Sequence, residues 1–120
     1  MNKRILILED EKPMLKALTI KLESESLDVV GVSDASDFFQ KIEEEKFDLI
    51  LLDLMLPGMS GFDVLEKLKE GDIKTPVIIA SNLGQKDDKK RALDLGAVEY
   101  LVKSETSLTD IVKIVKNFLK

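Results

Sequence analysis

The segment DLILLD, residues 48–53, decides the fold class, because an unbroken run of apolar side chains lies between two aspartates. A strand covered by helices on both faces shows such a run, whereas a strand with one solvent-exposed face alternates apolar and polar side chains. The stretches ILIL at residues 5–8 and VIIA at residues 77–80 have the same character. The sequence therefore predicts parallel strands buried between two layers of helices.

On both sides of that segment, short apolar stretches alternate with segments in which apolar residues recur at the spacing of a helix. The predicted strands are Ile5 to Leu8, Val29 to Val32, Leu49 to Leu52, Val77 to Ala80 and Tyr100 to Val102. The predicted apolar stripes of the five helices are Leu15, Leu18 and Leu22; Phe38, Phe39 and Ile42; Phe62, Leu65 and Leu68; Ala92, Leu93 and Leu95; and Leu108, Ile111, Val112, Val115, Phe118 and Leu119. Five strand–helix repeats in 120 residues predict an α/β fold, a doubly wound five-stranded parallel sheet of flavodoxin-like order 2-1-3-4-5.

Capping and breaking residues predict the helix boundaries. The signals are Pro13 in the first turn of helix 1, Asp34 near the start of helix 2, Ser60 before helix 3, and Gly71 and Gly96 after helices 3 and 4. Ser107 and Asp110 predict a capping box, in which each side chain accepts the other's backbone N–H, at the start of helix 5.

Composition excludes several classes of protein. The chain has neither His nor Cys, which excludes a Ser-His-Asp triad, a thiolate metal site and a disulfide scaffold. Its net charge of −5 disfavours nucleic acid and anionic lipid as direct partners. No apolar run approaches the roughly 20 residues of a membrane span, and the apolar stretch near the N-terminus is too short for a signal peptide. We expect one cytoplasmic domain spanning residues 1–120.

Charged and polar side chains follow four of the predicted strands, at the edge where ligands bind in such sheets. They are Glu9, Asp10 and Glu11 after strand 1, Asp53 after strand 3, Ser81 after strand 4 and Lys103 after strand 5. Taken singly, an acid or a serine there is commonly a turn former or a helix cap, and a lysine is commonly a solvated edge residue. Their joint occurrence instead favours a functional crevice.

The residue types in this crevice indicate phosphoryl chemistry. Clustered carboxylates favour a bound cation, and an all-oxygen site that also takes a phosphate oxygen suits Mg²⁺. Asp53 is then placed as a nucleophile toward an in-line phosphoryl group. Lys103 is placed to neutralise the phosphoryl oxygens, and Ser81 to donate a hydrogen bond to one of them.

Four stretches of the chain resemble the receiver domain of bacterial two-component response regulators, of which chemotaxis regulators are an example. They are ILILEDE at residues 5–11, DLILLDLMLPGMSG at 48–61, TPVIIAS at 75–81 and LGAVEYLVK at 95–103. The order and spacing match across the whole chain. The resemblance implies a signalling switch that is not an enzyme beyond its own phosphorylation and slow dephosphorylation.

The resemblance also implies a role for each site residue. These roles are phosphoacceptor for Asp53; Mg²⁺ ligation by Asp10, Asp53 and the backbone carbonyl of Met55, with Glu9 acting through water; switch hydroxyl for Ser81; switch aromatic for Tyr100; and phosphoryl contact for Lys103. For Tyr100, an ordinary strand aromatic is an equally good interpretation of its position.

The implied partners are a sensor histidine kinase or phosphotransfer protein, and a downstream effector or an output domain outside this sequence. Helix 1, with Pro13, Met14 and Leu18, is expected to face the kinase. The surface of helix 4, strand 5 and helix 5 is expected to report the phosphorylated state and to support a phosphorylation-dependent dimer.

Three positions depart from the commonest family pattern: Glu9 replaces Asp, Asn82 replaces a small residue, and Ser104 replaces Pro. Because a cis bond before a non-proline residue costs about 3–4 kcal/mol, we expect a trans Lys103–Ser104 peptide, with Lys103 less tightly aimed. Asn82 is expected to narrow access to the phosphoryl group.

Three other functions share this fold or this chemistry. A flavin-binding carrier needs a phosphate loop after strand 1, where this chain has an acidic run. A hydrolase with an Asp nucleophile commonly has a second acid two residues later, where this chain has Met55. An interaction module that has lost phosphorylation is disfavoured by the intact acids and lysine.

Overall fold

The computed structural model describes residues 2–120 and contains five parallel strands in the order β2-β1-β3-β4-β5, as predicted. The elements in chain order are β1 (Arg4–Leu8), α1 (Lys12–Glu23), β2 (Asp28–Val32), α2 (Ala35–Glu44), β3 (Leu49–Leu52), α3 (Gly61–Glu70), β4 (Val77–Ser81), α4 (Lys86–Asp94), β5 (Glu99–Val102) and α5 (Leu108–Phe118). A 3₁₀ turn, Lys103–Glu105, follows β5.

Alternate residues of the central strands face two separate apolar layers, because successive side chains of a strand point to opposite faces. Leu6 and Ile50 pack in the layer formed with α2, α3 and α4. Ile5 and Leu49 pack in the layer formed with α1 and α5. Side chains on both faces of these strands are buried, which explains why the strand segments are continuously apolar.

The predicted helix starts are confirmed, but the predicted capping box is only half formed. Asp110 N donates to Ser107 Oγ at 3.1 Å, and among residues 2–120 the return bond appears in α3 instead, where Ser60 and Asp63 cap each other at 3.3 Å in both directions. Aspartate makes the return bond in α3 and not in α5, so the residue type alone does not decide whether the box closes.

Two residues assigned to inward stripes are exposed instead. Leu93 is 41% exposed, although its neighbour Ala92 on α4 is fully buried. Phe118 is 39% exposed at the last position of α5. Both side chains therefore belong to the surface of the molecule.

Within residues 2–120, every helix is too short or too polar to cross a lipid bilayer.

Candidate functional site

The acids after β1 and β3 are held by hydrogen bonds that continue the parallel sheet beyond its last strand residues. Asp53 N donates to Leu8 O at 3.0 Å, and Glu9 N donates to Val32 O at 3.1 Å. Each acid is therefore anchored through its backbone to the neighbouring strand. This anchoring explains how both carboxyl groups are brought to one edge of the sheet.

Gly61 allows the first turn of α3 to sit against the backbone of Asp53. A Cβ atom at position 61 would lie 2.4 Å from Asp53 O and 2.6 Å from the Cα of Leu54, closer than real contacts allow. The Gly61 N–H donates to Leu54 O at 2.9 Å. The sequence analysis gave this glycine no role, although its place directly after the capping Ser60 is a usable signal for close packing.

Lys103 is the centre of the site. Its Nζ lies 2.7 Å from Glu9 Oε1, 2.9 Å from Asp53 Oδ2 and 3.1 Å from Glu11 Oε1. The side chains of Lys103, Glu9 and Asp53 are each only 3% exposed, whereas that of Glu11 is 61% exposed. The predicted meeting of these groups at the carboxyl edge is confirmed.

The peptide between Lys103 and Ser104 is trans, as predicted. The accompanying expectation that Lys103 is loosely aimed is wrong. The 3₁₀ turn directs the lysine side chain inward, and its ammonium group donates hydrogen bonds to three carboxylates.

The buried charges of the site change each other's protonation. Burial raises the pKa of Glu9 to about 7, and hydrogen bonds from Lys103 and the Glu11 backbone only partly oppose this rise. Burial alone lowers the pKa of Lys103, but hydrogen bonds and charge interactions with Glu9 and Asp53 outweigh burial and raise that pKa above its ordinary value. One ammonium group therefore does not fully compensate the carboxylates around it.

The acidic residues are arranged so that they could hold a hard cation. Carboxylate oxygens of Glu9, Asp10 and Asp53 all lie within 4.8 Å of one another. An all-oxygen donor set with surplus negative charge fits Mg²⁺, which commonly takes one or two carboxylates together with water and phosphate oxygens. Met55 lies beside this cluster: its N–H donates to Asp53 Oδ1 at 3.1 Å, and its side chain points outward with 53% exposed.

Ser81 and Tyr100 are connected through the backbone of Leu83. Leu83 N donates to Ser81 Oγ at 3.3 Å, and the Tyr100 hydroxyl donates to Leu83 O. Both side chains are buried, and burial together with the charges of Asp88 and Asp53 raises the pKa of Tyr100 to about 12. Tyr100 is thus a neutral hydrogen-bond donor attached to the β4–α4 loop at Leu83.

Asn82 makes a hydrogen bond that the sequence did not predict. The Asn82 Oδ1 atom accepts a hydrogen bond from Ser104 N at 3.0 Å, which connects the side chain to the turn after β5. The two residues are 22 positions apart, and both are exposed. The two residues that depart from the family pattern, at positions 82 and 104, are therefore hydrogen-bonded to each other. No local sequence pattern predicted this contact.

A family model described as the response regulator receiver domain matches residues 5–116. Among curated proteins, the alkaline phosphatase synthesis transcriptional regulatory protein PhoP of Bacillus subtilis is 37% identical over 103 residues, covering 86% of this chain and 43% of that protein. The cell cycle response regulator CtrA of Brucella ovis is 36% identical over 100 residues, covering 83% of this chain and 43% of that protein. The chain spans less than half the length of these relatives.

Solved structures give the same picture. The receiver domain of a LuxO repressor protein from Vibrio parahaemolyticus superposes with a TM-score of 0.92 at 33% identity, covering 99% of this chain and 91% of that one. A BeF3-activated DrrB receiver domain superposes with a TM-score of 0.88 at 29% identity, covering 99% and 98%.

Proposed function

The chain belongs to the response regulator receiver domain family, and on that premise we propose that it is a phosphorylation-driven signalling switch spanning residues 1–120. A sensor histidine kinase or a phosphotransfer protein donates the phosphoryl group, and Asp53 accepts it in a Mg²⁺-dependent reaction. The observation that carries the proposal is the buried contact of 2.9 Å between Lys103 Nζ and Asp53 Oδ2. A buried lysine at that place neutralises charge where a phosphoryl group would arrive.

Asp53 acts as the nucleophile. One of its carboxylate oxygens forms a bond to phosphorus while the bond from phosphorus to the donor's imidazole nitrogen breaks, and the nitrogen keeps the electron pair. The hydrogen bonds from Met55 N to Oδ1 and from Lys103 to Oδ2 support this role, because they hold both oxygens of the carboxylate in place.

The acidic cluster is proposed to hold Mg²⁺ through Asp10, Asp53 and the backbone carbonyl of Met55, with Glu9 acting through water. When bound, the ion supplies charge compensation for the carboxylates and for the phosphoryl oxygens. Before phosphorylation, Lys103 donates hydrogen bonds to Glu9 and Glu11. After phosphorylation, it donates a hydrogen bond to the phosphoryl group as well.

Ser81 and Tyr100 are proposed to carry the signal away from Asp53. Ser81 gives its hydroxyl hydrogen bond to the phosphoryl group, and the loop that contains Leu83 moves with it. Because the Tyr100 hydroxyl is bonded to Leu83 O, this movement changes the position of Tyr100. The output surface of α4, β5 and α5, which includes the exposed Leu93, then differs between the two states.

The kinase-facing surface on α1 is proposed to differ from the expected one. Leu18 is 1% exposed and packs under the sheet, so it cannot contact a partner. Ile20 is 58% exposed on the same helix and is the better candidate, together with the exposed Pro13 and the half-buried Met14.

The experiment is to incubate the protein with Mg²⁺ and a small acyl or amido phosphate and to measure its intact mass. We expect a gain of one phosphoryl group in the wild type and no gain in Asp53→Asn. Asp63→Asn, on the exposed side of α3, is the matched control and should gain the group normally. Absence of any gain in the wild type would overturn the proposal and favour an interaction module without phosphorylation.

A further inference from the structure

A side chain–backbone hydrogen bond joins the two loops that follow β4 and β5. Asn82, directly after Ser81, accepts the N–H of Ser104, directly after Lys103, at 3.0 Å. Ser81 and Lys103 are both buried at the carboxyl edge of the sheet, whereas Asn82 and Ser104 lie at the surface above them. The bond therefore connects the residues that carry the hydroxyl and the ammonium group of the site.

The segment 81–83 has two further attachments. Leu83 N donates to Ser81 Oγ, and the Tyr100 hydroxyl donates to Leu83 O. Bonds from this segment thus reach Tyr100 within β5 and Ser104 just beyond it. Asn82 supplies the attachment nearest to Lys103.

We propose that Asn82 is a positioning residue: by accepting the Ser104 N–H, it fixes the turn that aims Lys103 at Asp53 and keeps that turn in register with Ser81. This role rests on the proposed function and adds a determinant of the phosphorylation rate to it. Ser104 N lies in the 3₁₀ turn, whose early N–H groups have no partner within the turn, so this N–H is available to an acceptor outside it.

The chemistry of the pair explains why both departures occur together. A proline at position 104 has no N–H to donate, and an alanine at position 82 has no side-chain acceptor. In this chain Ser104 has an N–H, and Asn82 Oδ1 accepts it. Either residue without the other loses this bond.

Three variants at position 82 separate the hydrogen bond from the size of the side chain. Asn82→Asp keeps both the shape and the acceptor, Asn82→Leu keeps the shape without the acceptor, and Asn82→Ala loses both. Asn117→Ala, at an exposed asparagine on α5, is the control for a generic loss. For each protein, the phosphorylation rate is measured against the concentration of a small acyl phosphate at saturating Mg²⁺.

We expect the maximal rate to fall about threefold to tenfold in Asn82→Leu and Asn82→Ala, the factor that one net hydrogen bond supplies. The half-saturating acyl phosphate concentration should change little in these two variants. Asn82→Asp should restore the maximal rate, with its added charge appearing only in the concentration dependence. If Asn82→Ala is faster than wild type while Asn82→Leu is not, crowding governs the rate and the proposal is overturned.

Amide hydrogen exchange at Ser104 provides a readout that does not depend on phosphorylation. Exchange should quicken about threefold or more in Asn82→Leu and Asn82→Ala and stay near the wild-type rate in Asn82→Asp. Unchanged exchange in all three variants would show that the bond is not formed and would overturn the positioning role. If exchange responds as expected but the wild type accepts no phosphoryl group, the proposed function fails, and the role of Asn82 in the reaction fails with it.

Discussion

The two ends of the parallel sheet carry the same kinds of charged side chain in opposite environments. At the carboxyl end, Lys103 contacts Glu9 and Asp53, and all three side chains are almost completely buried. At the amino end, Arg4 pairs with Glu45, and both side chains remain about one-third exposed. The ends therefore differ in burial rather than in charge type.

The difference in burial determines how much each cluster of charges contributes to the stability of the fold. Exposed ion pairs are screened by water and salt and contribute little to stability. Buried charges lose their hydration, and their mutual attraction often does no more than offset that loss. The carboxyl-end cluster therefore need not stabilise the fold. The reaction proposed for it is a better explanation of why these charged side chains are buried there.

The largest expected effect comes from removing the buried cation. Lys103→Met should lower the free energy of unfolding in metal-free buffer by about 3 kcal/mol, because it leaves Glu9 and Asp53 buried without their partner. Urea denaturation measures this change. Lys74→Met, which breaks an exposed pair with Asp72, is the matched control and should leave the midpoint unchanged. Equal effects of the two substitutions would contradict the comparison.

The fold could be predicted almost completely from the sequence, because strands that are apolar on both faces are compatible with few fold classes. The apolar runs at residues 5–8, 49–52 and 77–80 fixed the sheet, and strand ends differed by at most one residue. The grouping of Asp53 and Lys103 was equally predictable, since parallel strands bring their carboxyl ends together.

What the sequence did not reveal depends on contacts between distant backbone and side-chain atoms. No local pattern couples Asn82 to Ser104, because the bond needs the two loops to be placed first. The lack of room for a Cβ atom at Gly61 and the contact of Glu11 with Lys103 likewise depend on how these loops are placed. Periodicity, by contrast, over-assigned Leu93 to the core because it reports apolar character before packing is known.

The pH dependence of stability should have opposite signs at the two ends. The pKa of Glu9 in the folded protein is about 7, above its ordinary value of 4.5, so the folded state binds the proton more tightly. Its contribution is present at low pH and is lost as the pH rises from about 5 through about 7, by about 2–3 kcal/mol in metal-free buffer. Glu9→Gln should remove this slope.

Glu45 is the control for that measurement. Hydrogen bonds from Arg4 and Lys41 hold the pKa of Glu45 below its ordinary value, so its contribution is present above about pH 4.5. It is lost as the pH falls through the lowered pKa. Glu45→Gln should therefore alter only the acidic limb of the stability curve, and an effect of Glu45→Gln between pH 5 and 7 would argue against the assignment to Glu9.

Mg²⁺ should stabilise the wild type through the carboxyl end alone. At ten times its dissociation constant, an ion that binds only the folded state adds about 1.4 kcal/mol. Asp10→Asn should weaken this gain while raising the stability of the metal-free protein, because it relieves repulsion with Asp53. Asp72→Asn, at the exposed pair with Lys74, should leave the gain intact. A melting temperature that does not respond to millimolar Mg²⁺ would argue against a metal site.

The lifetime of the phosphorylated state extends the comparison from stability to kinetics. Hydrolysis needs a water placed in line with the phosphorus, and neither Met55 nor Leu83 has a side chain that can orient one. Met55 is 53% exposed, and Leu83 is half-buried against the core. Met55→Asn combined with Leu83→Glu should speed the decay about tenfold in Mg²⁺. A wild type that decays as fast as the double variant would contradict this explanation.

The smallest effect is expected at the amino end, where Arg4 pairs with Glu45 and also lies 4.9 Å from the centre of the Phe47 ring. Arg4→Met keeps an apolar side chain over that ring and removes the charge together with an exposed hydrogen bond to Lys46 O, so the melting temperature should fall slightly at low salt. In 1 M NaCl the difference from wild type should shrink, because the screening length there is about 3 Å and the ion pair with Glu45 is screened. The effect of Lys103→Met should persist in the same salt, since dissolved salt screens buried charges much less than exposed ones. If Arg4→Met were instead as costly as Lys103→Met and equally insensitive to salt, burial would not be what distinguishes the two ends of the sheet.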